Sequence, residues 1–295
     1  MQSVGSFYST HKSTIYLANS NGFSNSYSRS SCSTGIHLQA GDQNSRVEDG
    51  WYSSAIDPED LLTVEDLSQR AIERAVRLIG ARKIESMSVP VIFEPTITSS
   101  ILAFFSGTIN GHSVYLNRSP FKDKLNEQIA SPMINIKSDG LLPGRMGSRL
   151  FDGEGVASRN IDVVENGILK SYLTDTYSAR KLKTESTGNA SGSNNFYLSP
   201  GNVSKEEMIK SIDKGLLITK LIGQGTNPVT GDISKGAFGI MIENGNLSYP
   251  VHEITINGNL KDILKNIEAI GDDFVWDRTI IGPSVKVSEL SVAGR

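Results

Sequence analysis

Two stretches of the chain repeat one pattern, in which an Asn-Gly pair separates two short apolar runs. Residues 163–169 read Val-Val-Glu-Asn-Gly-Ile-Leu, and residues 241–247 read Met-Ile-Glu-Asn-Gly-Asn-Leu. Because Asn-Gly accepts positive φ at both central positions of a tight turn, each stretch predicts a β-hairpin. The recurrence also predicts an internal duplication of a β unit.

The first 55 residues are rich in Ser, Asn, Gly and Tyr, a composition compatible with either a disordered tail or exposed strands. Residues 13–18 (Ser-Thr-Ile-Tyr-Leu-Ala) lead into Asn-Ser-Asn-Gly at 19–22, which is typical of a strand followed by a turn. Residues 33–39 show partial alternation of apolar and polar side chains. We therefore expect ordered β structure here rather than a disordered tail.

Helix starts are marked by residues whose side chains can accept a hydrogen bond from the first turn. Thr63 and Ser204 each have an acidic residue three positions later, as in a capping box, and Asp175 and Asn259 are further candidate caps. Apolar side chains at helical spacing follow each of the four. After Asn259 this spacing continues to Ile270 and predicts a helix that the next glycine ends.

Apolar stretches between these helices predict strands at residues 88–93 and 284–292, and a further helix is predicted near residues 99–106. Hairpins mixed with short helices favour an α+β fold, with mixed and mainly antiparallel sheets, over a doubly wound parallel sheet. We place the domain boundary after the first helix. Residues 1–87 then form an N-terminal α+β domain, and residues 88–295 form a β-rich C-terminal domain.

Composition narrows the class of protein without identifying it. The chain has 295 residues, a net charge of −3 and 38% hydrophobic residues, which is enough for a sizeable core. Lysines and arginines are spread along the chain, which argues against a nucleic-acid partner. The first residues lack the basic and apolar pattern of a leader, and no apolar run approaches the ~20 residues that span a bilayer. We therefore expect a cytoplasmic protein without membrane contact.

The histidines do not form a metal-binding motif. His11, His37, His112 and His252 are far apart in sequence. The pair at 252–253 begins like the zinc motif His-Glu-x-x-His, but an isoleucine occupies the second histidine position and the surrounding sequence is strand-like. We predict no metal and no cofactor in this chain.

Nucleophilic catalysis has no clear sequence support, since the Gly-x-Ser-x-Gly pattern of a nucleophile elbow is absent. Cys32 is the single cysteine, and its Ser-rich, strand-like setting favours a buried structural thiol over a nucleophile. An acid–base pair of carboxylates stays open, because it depends on proximity in space. The carboxylates near predicted turns are Asp139, Asp152, Glu154, Asp162, Asp175, Asp272 and Asp273. No residue is assigned as catalytic.

Five runs of sequence carry a more specific signal. They are Leu-Ala-Asn-Ser-Asn-Gly-Phe at 17–23, Phe-Asp-Gly-Glu-Gly at 151–155, Ser-Thr-Gly-Asn-Ala at 186–190, Lys-Gly-Ala-Phe-Gly at 235–239 and Asn-Gly-Asn-Leu-Lys-Asp at 257–262. Together they resemble the TldD/PmbA family, once called modulators of DNA gyrase and now grouped with metallopeptidases. The PmbA (TldE) branch is the more similar one, and the resemblance covers nearly the whole chain.

The resemblance has a chemical consequence for the helix predicted near residues 99–106. TldD-type chains carry a helical His-Glu-x-x-x-His zinc motif there, completed by a cysteine near the C-terminus. In this sequence Ala103, Phe104 and Thr108 stand at the motif positions, and residues 279–295 contain no cysteine. The resemblance therefore implies a subunit without metal, which joins a zinc-bearing TldD-type partner to form a peptidase complex acting on peptides or unfolded proteins.

Other assemblies and functions stay open at this point. The alternatives are a stand-alone peptide-binding or scaffold protein and a hydrolase with an unrecognised carboxylate site. A homodimer is a second candidate assembly. PmbA-type proteins carry an N-terminal segment ahead of the region that this chain resembles, so the N-terminal domain is expected to be truncated. The isolated chain is expected to be inactive.

Two groups of residues are predicted to line a surface for substrate or partner: Gly188, Asn189 and Ala190, and Lys235, Gly236 and Phe238. Both groups are small-residue stretches beside predicted strands, where a peptide backbone could approach and add a strand. The alternative is that the glycines only serve tight turns. Replacing Asn189 and Phe238 with Ala should weaken activity of the complex at an unchanged melting temperature, whereas loss of the fold would favour the alternative.

Overall fold

Antiparallel strands and short helices make up most of the chain, which confirms the predicted α+β class. About 19% of the residues lie in helices and about 43% in strands. The computed structural model describes residues 1–42 and 46–294. The chain divides into two units, Met1–Arg82 with Gly144–Met146, and Lys83–Pro143 with Gly147–Arg295.

The first unit is a three-stranded antiparallel sheet with one helix packed on it. Its strands are β1 (Gln2–Ala18), β2 (Ser24–Ala40) and β3 (Val47–Ala55), in the order β1-β2-β3, and its helix is α1 (Val64–Val76). The expectation of ordered β structure in the first 55 residues is thus confirmed for the part that the structure describes. Ala71 and Ala75 of α1 are fully buried against Leu38 and Ala40 of β2, because small side chains allow close approach of helix and sheet.

Cys32 lies on β2 and is buried, as its setting predicted. Its Sγ donates to the carbonyl oxygen of Ala55 at 3.4 Å. Burial raises the pKa of the Cys32 thiol above its ordinary value. A neutral, buried thiol is a poor nucleophile, so this residue has a structural role.

The described residues of the second unit form two sheets and five helices. Its strands are β4 (Met87–Phe93), β5 (Ile136–Asp139), β6 (Asn160–Glu165), β7 (Ile168–Leu169), β8 (Asn195–Leu198), β9 (Lys214–Ile222), β10 (Asp232–Glu243), β11 (Asn246–Asn259), β12 (Ile267–Ile270), β13 (Ile280–Ile281) and β14 (Val285–Ala293). Its helices are α2 (Pro95–Thr108), α3 (Gly111–Tyr115), α4 (Thr176–Leu182), α5 (Lys205–Lys210) and α6 (Leu260–Lys265). Within the described ranges, no helix is long and apolar enough to cross a membrane.

The larger sheet is closed on itself. Its order is β11-β10-β9-β4-β14-β12, and β11 also pairs with β14 through residues 255–257 and 291–293. This last pairing joins five of the strands, β11, β10, β9, β4 and β14, into a ring, beside which β12 extends along β14. The smaller sheet has the order β13-β8-β5-β6-β7.

Helix α2 is central to the core of the second unit. Its residues Ile97, Ile101 and Phe105 are buried in one cluster with both sheets, and Phe105 meets the ring of Phe121 edge to face at 5.2 Å. On the opposite face of β4, Ile92 packs in a second cluster with apolar residues of α5. The helix that the family resemblance singled out therefore packs on the core through most of its side chains.

Local predictions of turns and caps are confirmed. Asn166 and Asn244 have φ values of 49° and 50°, and the glycines that follow them have φ values of 77° and 72°. Both turns are thus of the predicted type, but the strands they join differ greatly in length and lie in different sheets. Asp175 and Ser204 each form a complete capping box.

The predicted extent of the last helix is wrong. α6 begins after Asn259 as expected but ends at Lys265, and Ile267–Ile270 forms strand β12. A bulge between Ile267 and Ala269 brings both Ile267 and Ile270 to the buried side, so their spacing imitates a helical stripe. Pairing with β14 decides the structure of this segment, and that partner is distant in sequence.

Candidate functional site

The helix positions that correspond to the zinc motif of TldD-type chains carry no metal-binding group. Ala103 is exposed, and Phe104 is half-buried and packs against the core. Thr108 is fully buried, and its hydroxyl donates to the carbonyl oxygen of Phe105 at 2.7 Å. In the described part of the chain, no three His, Cys, Asp or Glu side chains are grouped so as to hold a metal ion. The residues present do not fit a zinc centre.

Helices α3 and α4 bring together a histidine and a carboxylate that are 63 residues apart in sequence. His112 Nε2 lies 2.8 Å from Asp175 Oδ2, and the imidazole stacks on Tyr177 with 5.6 Å between ring centroids. The sequence did not predict this pair, because His112 and Asp175 come together only when α3 packs against α4. The His112 side chain is about half exposed.

Asp175 has two roles, because it caps the start of α4 and also contacts His112. Its Oδ1 accepts from the backbone N–H of Ser178 at 2.7 Å and from the hydroxyl of Ser178 at 2.5 Å. Burial alone would raise the pKa of Asp175, but the hydrogen bonds from Ser178 and His112 outweigh it, so the pKa is lowered.

The order of these three groups excludes a serine triad here. Nucleophilic serine needs the imidazole between the hydroxyl and the carboxylate, so that the imidazole can accept the proton. In this structure the carboxylate of Asp175 stands in the middle and accepts the hydrogen bond of the Ser178 hydroxyl itself, so that hydroxyl does not donate to the imidazole. The buried Ser178 therefore serves the helix cap rather than catalysis.

Asp152 lies near the start of α4, and both of its carboxylate oxygens accept hydrogen bonds from backbone N–H groups. It is 2% exposed. Oδ1 accepts from the N–H groups of Glu154 and Val156 at 2.9 and 3.0 Å, and Oδ2 accepts from Ala190 N–H at 2.9 Å. Glu154 in turn accepts from the N–H of Thr176 at 2.8 Å. These carboxylates join three chain segments and are used structurally.

The predicted loop at Gly188, Asn189 and Ala190 packs against this network. Gly188 and Asn189 are buried and Ala190 is exposed. Gly188 has φ of 73°, and a Cβ there would lie 2.7 Å from the carbonyl oxygen of Ala157. Asn189 Nδ2 donates to the carbonyl of Gly192 at 3.1 Å. A glycine is therefore required at position 188 by the backbone conformation and by close packing. A binding role for the loop stays a prediction.

The second predicted group lies in the middle of the closed sheet. Lys235 and Gly236 pair with β11, and Gly236 and Phe238 pair with β9. Because both edges of β10 are occupied, a peptide cannot add a strand at residues 235–238, and that proposed mode of binding is wrong. The Phe238 ring lies 5.9 Å from Lys220 Nζ, so only side-chain contacts are available there.

The two predicted groups are not joined by any hydrogen bond or ring contact in residues 1–42 and 46–294. The loop contacts Asp152 and Thr174, whereas the strand contacts β9 and β11. Their common surface therefore stays a prediction. His252 lies on β11 with Nδ1 3.6 Å from Glu253 Oε1, which agrees with a strand histidine beside a neighbouring side chain.

Comparison with protein-family models assigns both parts of the chain. The model of the PmbA/TldA metallopeptidase C-terminal domain matches residues 86–294, and the central-domain model of the same family matches residues 1–79. The chain belongs to the PmbA/TldA metallopeptidase family. The resemblance drawn from the five sequence runs is thereby confirmed.

Relatives within the PmbA/TldA family extend over the whole chain. A metalloprotease PmbA homolog from Buchnera aphidicola (subspecies Acyrthosiphon pisum) is 36% identical over 100% of this chain and 66% of its own length. Metalloprotease PmbA from Escherichia coli O157:H7 is 35% identical over 99% of this chain and 65% of its own length. The chain thus spans just under two thirds of the length of these curated relatives.

A solved PmbA/TldA-like structure confirms the fold. The crystal structure of a proposed modulator of DNA gyrase from Thermotoga maritima has a TM-score of 0.92 and 35% identity. The match covers 98% of this chain and 68% of that one. The fold described above is therefore found in an experimentally determined relative.

Proposed function

We propose that this chain is the non-metal-binding subunit of a TldD/TldE-type metallopeptidase complex that acts on peptides or unfolded proteins in the cytoplasm. The family membership supports a role in proteolysis. The proposal assigns the metal and the hydrolytic chemistry to a partner chain, and to this chain a role in completing the assembly or holding the substrate.

The observation that carries the proposal is the surface of α2. A zinc peptidase needs three imidazole, thiolate or carboxylate ligands and an open position for water. Here the equivalent positions offer a methyl group at Ala103, an aromatic ring at Phe104, and a hydroxyl at Thr108 that is already bonded within the helix. Side chains of these types support packing. They neither bind a metal ion nor activate a water bound to it.

Two of the carboxylates that could have supported a metal-free hydrolase, Asp152 and Asp175, have structural partners. Asp152 accepts three backbone N–H groups, and Asp175 caps α4 while pairing with His112. A general acid or base needs a free oxygen within reach of substrate. These contacts favour the subunit proposal over the carboxylate hydrolase.

The test reconstitutes the complex with a zinc-bearing TldD-type subunit from the same source. Cleavage of an unfolded protein substrate is measured for this chain, for the partner and for the two together, with zinc determined by mass spectrometry. We expect negligible zinc and no cleavage for this chain alone, and cleavage by the mixture that a chelator abolishes. Light scattering distinguishes a heteromeric complex from a homodimer of this chain.

Chelator-insensitive cleavage by this chain alone would overturn the proposal. A triple variant tests the assignment of α2 directly, with Ala103→His, Phe104→Glu and Thr108→His. We expect it to stay inactive without the partner, because the third ligand and the residues that orient the ligands are missing.

A further inference from the structure

The first unit contains an open, basic pocket that none of the functions discussed above uses. Its volume is about 160 Å³, and its walls are Trp51 from β3, Arg70, Glu73 and Arg74 from the second half of α1, and Arg77, which follows the helix. The three arginines follow at intervals of four and three residues, so they lie on one face of the helix. A pocket of this size accommodates one small anionic group rather than a large ligand.

Two of the charges in and around the pocket are fixed by their neighbours. Arg74 is mostly buried, its guanidinium lies 5.1 Å from the centre of the Trp51 ring, and its NH2 lies 3.1 Å from Asp49 Oδ2. Glu73 Oε1 accepts from the side chain of Gln69 at 2.7 Å. The indole and Asp49 thus hold Arg74 as one wall of the pocket.

The balance of charge leaves the pocket positive. Its lining carries three guanidinium groups and one carboxylate, that of Glu73, and Asp49 beside it pairs with Arg74. Arg70 is exposed and forms no ion pair within the described residues. Cations near the C-terminal end of a helix are favoured by its dipole, which accounts for Arg74 and Arg77. The helix dipole does not explain why Arg74 and Arg77 line a concave pocket together with Arg70 and the Trp51 indole.

We propose that this pocket binds a carboxylate group of a peptide, carried on an acidic side chain or at the C-terminus. Guanidinium groups match the planar carboxylate and can bind it through two parallel hydrogen bonds. The choice of a peptide rests on the proposed function in proteolysis. The pocket then anchors substrate on this chain, in a different unit from the α2 helix.

The test measures binding to the isolated full chain, without the partner and without cleavage. The probe is a Gly-Ser hexapeptide with an uncharged dansyl label at its N-terminus, one internal aspartate and a free C-terminus. One matched peptide has asparagine in place of the aspartate, and a second has an amidated C-terminus. The carboxylate whose removal weakens binding is the one that the pocket holds.

Arg70→Gln should weaken binding of the probe about tenfold, since one charge-assisted contact is lost. Arg180→Gln removes an exposed charge from α4 and should leave the affinity unchanged. In NMR spectra of labelled protein, the indole N–H signal of Trp51, assigned with Trp51→Phe, should shift on binding while that of Trp276 stays in place.

Two results would overturn the carboxylate site. One is equal affinity of the Arg70→Gln variant and the unaltered chain for the probe. The other is that a peptide with both changes, asparagine for aspartate and an amidated C-terminus, binds as tightly as the probe. Displacement of the probe by inorganic phosphate, but not by acetate at equal ionic strength, would assign the pocket to phosphate instead. Failure of the partner to restore cleavage would refute the proposed function and leave the measured peptide binding intact, so the two failures are distinguishable.

Discussion

Replacing Asp152 with Ala should destabilise the second unit strongly. The side chain is buried and accepts three backbone N–H groups at 2.9 to 3.0 Å, from Glu154, Val156 and Ala190. A hydrogen bond to a charged group contributes about 1.5–3 kcal/mol, and buried donors left without an acceptor add a desolvation cost. The free-energy contributions of the three hydrogen bonds are not additive, because one carboxylate accepts them all. In the alanine variant, water can also enter the space that the carboxylate leaves. We expect a loss of about 3–5 kcal/mol in the free energy of unfolding.

The measurement is urea unfolding followed by tryptophan fluorescence in a Trp51→Phe background, where Trp276 reports on the second unit alone. Asp152→Asn keeps an oxygen for two of the N–H groups but turns an amide N–H towards Ala190, so an intermediate loss of roughly 1–3 kcal/mol is expected. Asp162→Ala is the matched control. Asp162 is more than half exposed and lies 3.2 Å from Lys137 Nζ, and such a surface pair contributes at most about 1 kcal/mol.

A loss for Asp152→Ala no larger than that of the Asp162 control would refute the structural role of Asp152. If the stability were unchanged while the reconstituted complex lost its cleavage, Asp152 would act in catalysis, and the carboxylate alternative would regain its place. If stability falls as expected, any loss of cleavage should follow the unfolded fraction.

Three further changes test other parts of the second unit, each by the same unfolding measurement. Tyr172→Phe should cost about 1–2 kcal/mol, because the buried hydroxyl donates to the carbonyl oxygen of Phe121 at 2.6 Å. The lowered pKa of Asp175 stabilises the fold above the ordinary value of 3.8, and this stabilisation is lost as pH falls through the folded pKa. Asp175→Asn should therefore show a shallower loss of stability between pH 5 and about pH 2 than the unaltered chain. Gly188→Ala should be more destabilising than Gly192→Ala by about 1 kcal/mol or more, since both have positive φ but only Gly188 has a carbonyl oxygen within 3 Å of a new Cβ.

Features set by a few neighbouring residues could be predicted from the sequence. The Asn-Gly turns and the caps at Thr63, Asp175 and Ser204 depend on contacts within about four residues, and the structure has all of them. Such features are local, so their physical causes are visible in the sequence itself.

Features that depend on distant partners could not be predicted in this way. The segment Ile267–Ile270 has a helical spacing of apolar residues but becomes a strand because β14 is there to pair with it. Addition of a peptide strand at residues 235–238 was predicted wrongly, since both neighbours of β10 are other strands of the ring. The pairing of His112 with Asp175 requires two helices to meet, and the pocket around Trp51 requires α1 to pack on β3.

The closed ring of strands also limits when the second unit can finish folding. Its strand β4 hydrogen-bonds with β14, and the side chains of Ser88 and Glu289 in these two strands are 201 residues apart in sequence. On a ribosome, β4 must wait through the synthesis of that whole stretch before its antiparallel neighbour exists, a delay of roughly 10–40 s at 5–20 residues per second. During that interval the apolar edge of β4 is open to other chains. We therefore expect the nascent second unit to be most prone to pairing with other chains until β14 has been synthesised.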